Sequence, residues 1–170
     1  MRIAGYRRLP KPDAALRDVL GITPEWLAQR GLRAVILDVD NTLGAYTERE
    51  MSREMQEHLH ALAQRGVAVA VVSNAAEKRV RRFAGDFPYI ARSGKPSPAA
   101  LLEMARRLGA EPGQVAMVGD QLLTDIAAGE CAGMVTVWVE PLSNNWALDL
   151  FFRLRRRMEK RIAYKGEKRG

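Results

Sequence analysis

The stretch AVILDVDNTL, residues 34–43, decides how this chain is read. Four apolar residues in a row suit a short strand buried on both faces. They run straight into Asp38, Val39 and Asp40. Side chains at i and i+2 of a strand project to the same side, so two carboxylates leave this strand's end together. Like charges so placed repel, and ionising both is costly unless a cation lies between them. That cost marks a site rather than a structural accident.

Outward from this stretch, short apolar, β-branched runs alternate with longer helical patterns. Strands are predicted over 33–38, 67–73, 89–91, 115–119 and 134–139, and helices near 48–65, 75–85, 96–108 and 121–130. Met51, Met55, Leu59 and Leu62 recur at helical spacing, with Gly66 as the stop. Pro96 and Pro98 suit the opening turn of the third helix and Gly109 its end. Such alternation predicts an α/β fold: a mainly parallel five-stranded sheet with helices on both faces and right-handed crossovers. The chain divides into a leader, 1–32, with PKPD and TPEW as helix openings, a catalytic core, 33–140, and a basic helix and tail, 143–170. All of it is read as one domain, 1–170, a length that suits a single core.

The net charge of +7 is unevenly placed. Residues 153–170 hold nine Lys/Arg and two Asp/Glu; removing these from the 27 basic and 20 acidic residues leaves 18 of each. The body is neutral, so any argument for a polyanionic partner concerns one segment. A single cysteine, Cys131, excludes an internal disulfide and a cysteine-rich metal site, which fits a cytoplasmic setting. No apolar run has the length of a spanning helix, and the first residues lack a signal peptide's apolar region.

In parallel sheets ligands gather outside the carboxyl ends of the strands. Three predicted strand ends carry Asp38-Val39-Asp40, Ser73-Asn74 and Gly119-Asp120, and Lys95 follows the short strand at 89–91. A carboxylate attacks phosphorus once the phosphoryl charge is neutralised. That chemistry needs a hard divalent cation on oxygen ligands, a lysine, a donor to orient the phosphoryl oxygens and an acid for the departing alkoxide. The rim offers Asp38 and Asp120 for the metal, Lys95 for charge, Ser73 as donor, and Asp40 as acid/base. An ionised Asp38 beside it would favour the proton that Asp40 needs to act as an acid.

DVDNTL at 38–43, SN at 73–74, KP at 95–96 and GDQLLTD at 119–125 together resemble the four motifs of the haloacid dehalogenase superfamily. DxDNT with GDxxxxD is similar to its subclass IIIA phosphatases, and the leader's KPD with DNTL and GDQLxTD to the YqeG-type branch, related to phosphatidylglycerophosphate phosphatases. The resemblance implies a three-layer Rossmann-like fold and a phosphatase acting through an aspartyl-phosphate. It implies that Asp38 is the nucleophile, that Asp40 protonates the leaving group and then activates water, and that Ser73, Asn74 and Lys95 face the phosphorylated substrate. It further implies Mg²⁺ held by the Asp38 carboxylate, the Asp40 carbonyl and Asp120, with Asp125 supporting the metal's water or Lys95.

Each residue alone has a plainer reading. An Asp at a strand end often caps a helix, Ser73-Asn74 is a good N-cap, and Lys95 alone is a solvated lysine. Their joint occurrence, in order and after predicted strands, favours the catalytic reading. His58 and His60 lie on a helix with no third ligand and are read as structural. The KRVRR run at 78–82 is read as a solvated helix face, the other reading being a guide for anionic substrates.

Thirty-five residues separate Asp38 from Ser73, and twenty-two separate Ser73 from Lys95. Neither interval has room for an inserted cap domain, so the fold is expected to be capless and the pocket open. An open pocket suits a bulky substrate, foremost a lipid headgroup phosphate such as phosphatidylglycerophosphate, or else a lid from a neighbouring subunit. In the tail, Phe151, Leu154, Met158 and Ile162 share one face of a helical wheel, opposite Arg153, Arg156, Arg157, Lys160 and Arg161. Such a helix either packs on the body or lies on an anionic membrane through residues 146–165, peripheral on its inner face. Two alternatives stand beside the lipid phosphatase. One is a soluble sugar or polyol phosphate phosphatase closed by oligomerisation; the other is an RNA- or ribosome-associated binder using the tail. Against nucleic acid stand the neutral body and the lack of stacking aromatics among the tail arginines.

Overall fold

The computed structural model describes residues 10–142; residues 1–9 and the basic segment 143–170, including the proposed amphipathic helix, lie outside the described residues. In chain order the elements are β1 (Ala14–Leu16), α1 (Pro24–Ala28), β2 (Ala34–Leu37), α2 (Arg53–Gln64), β3 (Ala68–Val72), α3 (Glu77–Ala84), β4 (Tyr89–Ile90), α4 (Ala99–Arg107), β5 (Val115–Gly119), α5 (Ala127–Ala132) and β6 (Val135–Val139). The strands form one sheet in the order β1-β6-β5-β2-β3-β4. Every neighbouring pair is parallel.

The sheet is parallel because each of β1 to β5 is followed by a helix that must cover a face before the next strand begins. Along β2, Val35 and Leu37 join one apolar cluster with Met55, Leu59 and Leu62 of α2 and Val80 and Phe83 of α3. Ala34 and Ile36 point the other way, into a cluster with Leu101 and Met104 of α4 and Ala128 of α5. Three layers result. Strands β2 and β5 lie in the middle, buried along their whole length, which is why they read as unbroken apolar runs. Met55, Leu59 and Leu62 sit on one stripe of α2, and burying a side chain of this size contributes about 1.5–3 kcal/mol. Ser52 caps that helix, its Oγ accepting from Met55 N at 3.2 Å.

Three expectations need correction. The sheet has six strands, not five, because the leader contributes β1, which pairs with β6 from Ala14 opposite Val137 to Leu16 opposite Val139. AAL is too short and too rich in alanine to announce a strand. Asp13 secures it: Thr136 donates to Asp13 Oδ2 through both N and Oγ1, each at 2.8 Å, and Asp13 N donates to Thr136 O at 2.9 Å. PKPD therefore opens a strand, whereas TPEW opens α1 as expected, with Thr23 Oγ1 accepting from Trp26 N at 3.1 Å. Nor is 121–130 one regular helix: a π turn, Leu122–Ile126, precedes α5. The plainer reading of Ser73-Asn74, as the N-cap of α3, does not apply either, since that N-cap is Ala76.

Candidate active site

From β2 the chain runs on to β3 and β4 on one side, then returns to β5 on the other. The crevice between β2 and β5 is therefore a topological switch point, where parallel sheets bind ligands. Asp38 extends β2 by one residue, its N donating to Val118 O of β5 at 3.0 Å. Asp120 follows β5 directly, and Ser73 follows β3 with its N donating to Ile90 O at 3.0 Å. Backbone pairing thus delivers three predicted residues to one rim.

Lys95 arrives from the loop after β4 and reaches the centre. Its Nζ donates to Asp38 Oδ1, to Asp125 and to Val72 O, each at 2.8 Å, and the residue is only 5% exposed. All three ammonium protons are therefore engaged. The ammonium is thus a fixed positive charge with no spare donor. Burial alone would lower its pKa, but the carboxylates of Asp125 and Asp38 outweigh that and hold the ammonium above its ordinary range.

The resemblance has Asn74 facing substrate, and the structure gives its side chain another task. Its Nδ2 donates to Lys95 O at 2.9 Å, while its Oδ1 accepts from Lys95 N at 2.9 Å and Ser93 Oγ at 2.8 Å. The amide staples the 93–95 loop in place and so aims Lys95. Ser73 is buried, and its Oγ accepts from Ala75 N at 3.3 Å, which leaves its own proton to donate.

One carboxylate oxygen from each of Asp38, Asp120 and Asp125 lies within 4.8 Å of the others. Among the described residues no other three acids, histidines or cysteines come together in this way. Three buried carboxylates face one ammonium, so negative charge is in surplus where water is largely excluded. A hard divalent cation on oxygen ligands fits that surplus. Burial pushes the Asp125 carboxyl up to about 6, with Lys95 pulling it down and Asp38 pushing it further up. The approach of Asp125 explains Gly119: a Cβ there would collide with the Asp125 carboxylate. His58 and His60 take no part in this grouping, and the His60 ring packs 5.0 Å from that of Phe87.

Asp40 stands apart from the cluster. From sequence, an ionised Asp38 is the expected neighbour of its carboxylate, but the group that faces it is a guanidinium. Arg79 Nε donates to Asp40 Oδ1 at 2.6 Å. Asn41, at φ 60, turns the chain sharply after Asp40, a conformation that asparagine tolerates better than most residues. Arg79 is the site residue that sequence reasoning missed. It lies within the KRVRR run, and nothing in the spacing separates it from three neighbouring basic residues.

Comparison with known proteins agrees with this arrangement. The profile of the haloacid dehalogenase-like hydrolases matches residues 23–133. The chain is 32% identical over 154 residues to "Probable phosphatase YqeG" of Bacillus subtilis (strain 168), covering 89% of this chain and 88% of that protein. It is 28% identical over 152 residues to the chloroplastic phosphatidylglycerophosphate phosphatase 1 of Chlamydomonas reinhardtii, covering 83% of this chain and 56% of that protein. Among solved structures, the cobalt-bound deoxy-D-mannose-octulosonate 8-phosphate phosphatase (YrbI) of Haemophilus influenzae superposes with a TM-score of 0.54. That match, at 18% identity, covers 81% of this chain and 92% of that one, and it speaks for the fold alone. With a parallel sheet that carries its acidic residues at the switch point, and relatives matched along most of its length, this chain belongs to the haloacid dehalogenase-like hydrolase family, on the branch of YqeG and the phosphatidylglycerophosphate phosphatases.

Proposed function

We propose that this chain hydrolyses phosphate monoesters through an aspartyl-phosphate, with Mg²⁺ as its cofactor. The observation that carries the reading is the buried cluster of Asp38, Asp120, Asp125 and Lys95 at the switch point. An Asp38 carboxylate oxygen attacks phosphorus as the bond from phosphorus to the ester oxygen breaks. Asp40 gives its proton to the departing alkoxide. A water then attacks the phosphorus of the aspartyl-phosphate, Asp40 takes the water's proton, and the bond to Asp38 breaks. Inorganic phosphate leaves and Asp38 is regenerated, so ester and water become alcohol and phosphate. Lys95 keeps Asp38 oriented and offsets charge, Ser73 donates to a phosphoryl oxygen, and Asn74 holds the lysine loop. Asp38, Asp120 and the Asp40 carbonyl would hold Mg²⁺, with Asp125 supporting it; the ion neutralises phosphoryl charge so that a carboxylate can approach.

The substrate we favour is a lipid headgroup phosphate of the phosphatidylglycerophosphate type. Two observations support it: the likeness to phosphatidylglycerophosphate phosphatases, and the short path around the site. Between Asp38 and Ser73 the chain forms a flap and α2; between Ser73 and Lys95 it forms α3 and β4. No cap is inserted there, which suits a bulky ester whose phosphate protrudes. No helix among the described residues is long and apolar enough to cross a membrane. The basic segment 153–170 is the part of the sequence suited to an anionic lipid surface.

The deciding experiment is a release assay on detergent-dispersed phosphatidylglycerophosphate beside a panel of small sugar and polyol phosphates, with Mg²⁺ or with chelator. Asp38→Asn serves as the control. Lipid turnover that needs Mg²⁺ and vanishes in the control is expected. Efficient turnover of a small sugar phosphate without the lipid would overturn the substrate; no turnover of any ester would overturn the phosphatase. Removal of residues 153–170 should lower lipid turnover and leave hydrolysis of small esters.

A further inference from the structure

Arg79 joins two features that the chemistry above treats separately, the acid/base Asp40 and the flap over 44–48. From its place on α3 it makes three hydrogen bonds in three directions. Nε donates to Asp40 Oδ1 at 2.6 Å, Nη1 to Glu48 O at 2.6 Å and Nη2 to Ala45 O at 2.9 Å. The flap closes on itself as well: Glu48 N donates to Ala45 O at 3.0 Å, and Ala45 N to Glu48 Oε2 at 2.7 Å. The guanidinium lies 4.7 Å from the Phe83 ring centroid, and that ring occupies the space a side chain on Gly44 would need. So α3 supplies both the ring under the flap and the cation that plugs its carbonyls.

This arrangement exceeds what a surface ion pair requires. The Arg79 and Asp40 side chains are 23% and 19% exposed, and neither belongs to the buried cluster around Lys95. A guanidinium offers its donors in a planar fork, which lets one group meet three divergent acceptors; an ammonium is a point charge without that geometry. Asp40 Oδ1 is taken by Arg79, so the carboxylate's remaining oxygen is the one left to exchange a proton with leaving group and water. Its orientation depends on Arg79, and Arg79 is held in turn by the flap.

We propose that Arg79 is the positioning residue that orients Asp40 for proton transfer, and that it does so only while the 44–48 flap is clamped to it. The proposal rests on the phosphatase reading. Flap and acid/base then work as one unit: whatever displaces the flap also misaligns the proton donor. A poor leaving group, such as the alkoxide of an alkyl phosphate, needs that proton as its bond breaks; a p-nitrophenolate hardly does. The signature of Arg79 is therefore a dependence on the leaving group.

The experiment compares the first turnover of glycerol phosphate and of p-nitrophenyl phosphate in wild type, Arg79→Met and Arg79→Lys, by rapid quench. Amide hydrogen exchange at residues 45–48 is measured on the same proteins. Glycerol phosphate should slow by about 10²-fold or more in Arg79→Met, the scale of general acid catalysis, and at least tenfold more than the aryl ester does. Arg79→Lys should resemble Arg79→Met rather than wild type, and exchange in the flap should quicken in both. Equal losses on the two esters, full rescue by lysine, or unchanged flap exchange would each overturn the proposal. Phosphatidylglycerophosphate, also an alkyl phosphate, stands in for glycerol phosphate if the small ester is not turned over. If wild type turned over none of the three, the phosphatase reading would fall and this assignment with it, whereas turnover by wild type with equal losses in the variant defeats Arg79's role alone.

Discussion

Asp38 and Asp40 are one residue apart and live in different surroundings. Asp38 is locked between strands, its side chain 6% exposed and bound by a lysine side chain that is 1% exposed. Asp40 is 19% exposed and held from outside the sheet, by a helix residue that also grips a loop. The first environment is rigid and charged, suited to a nucleophile and an ion that must not move. The second is more open and held by one side chain, which suits the proton carrier we propose, serving first the leaving group and then water. Burial separates two carboxylates, and the roles we propose for them, that the DVD sequence presents side by side.

Several substitutions put that contrast at risk. Asp38→Asn should have the largest effect, a loss of roughly 10⁴-fold or more in kcat with the fold intact, as expected for removal of a nucleophile. A rapid-quench assay for acid-stable phosphoenzyme should find none in the variant. Lys95→Met removes the cation of the buried side and should destabilise the metal-free protein by about 3–5 kcal/mol in urea unfolding. If that variant were as stable as wild type, the rigid half of the contrast would be wrong.

The buried half should also make stability depend on pH. Asp125 is pushed from an ordinary 3.8 up to about 6, so the fold favours its protonated form. Its contribution to stability is therefore present below about pH 4 and lost as pH rises through about 6. With chelator present, wild type should lose stability relative to Asp125→Asn over that window, and added Mg²⁺ should reverse the loss. Denaturant titrations across the range would check this, and parallel curves for the two proteins would refute it. The smallest effect is expected at the flap. Gly44→Ala sets a methyl group against the Phe83 ring and should cost about 1–3 kcal/mol, with the alkyl ester losing more activity than the aryl one.

Much of the site is legible in the residue pattern alone. Asp38, Ser73 and Asp120 follow strands whose β-branched and apolar runs are unmistakable, and parallel pairing brings such ends to one rim whatever the order of the strands. Strand β1 is not legible, because three residues without a β-branched side chain hold their place through Asp13 and Thr136, 123 positions apart. The task of the Asn74 side chain escapes the pattern for a related reason. Its partners lie at residues 93 and 95, and local spacing points only to the helix that follows.

The α/β alternation and the set of charged groups at the strand ends are written in the chain itself. Periodicity and strand length are local, and a parallel sheet converts them directly into a shared rim. Which partner each charge meets is a matter of the folded molecule. Lys95 turns inward to Asp38 and Asp125, whereas Arg79, one of four basic residues in its run, turns toward Asp40 and the flap. Charge type belongs to the residue, but a partner is chosen by where helix and loop bring the side chain. That choice depends on packing across the sheet, which no short stretch encodes.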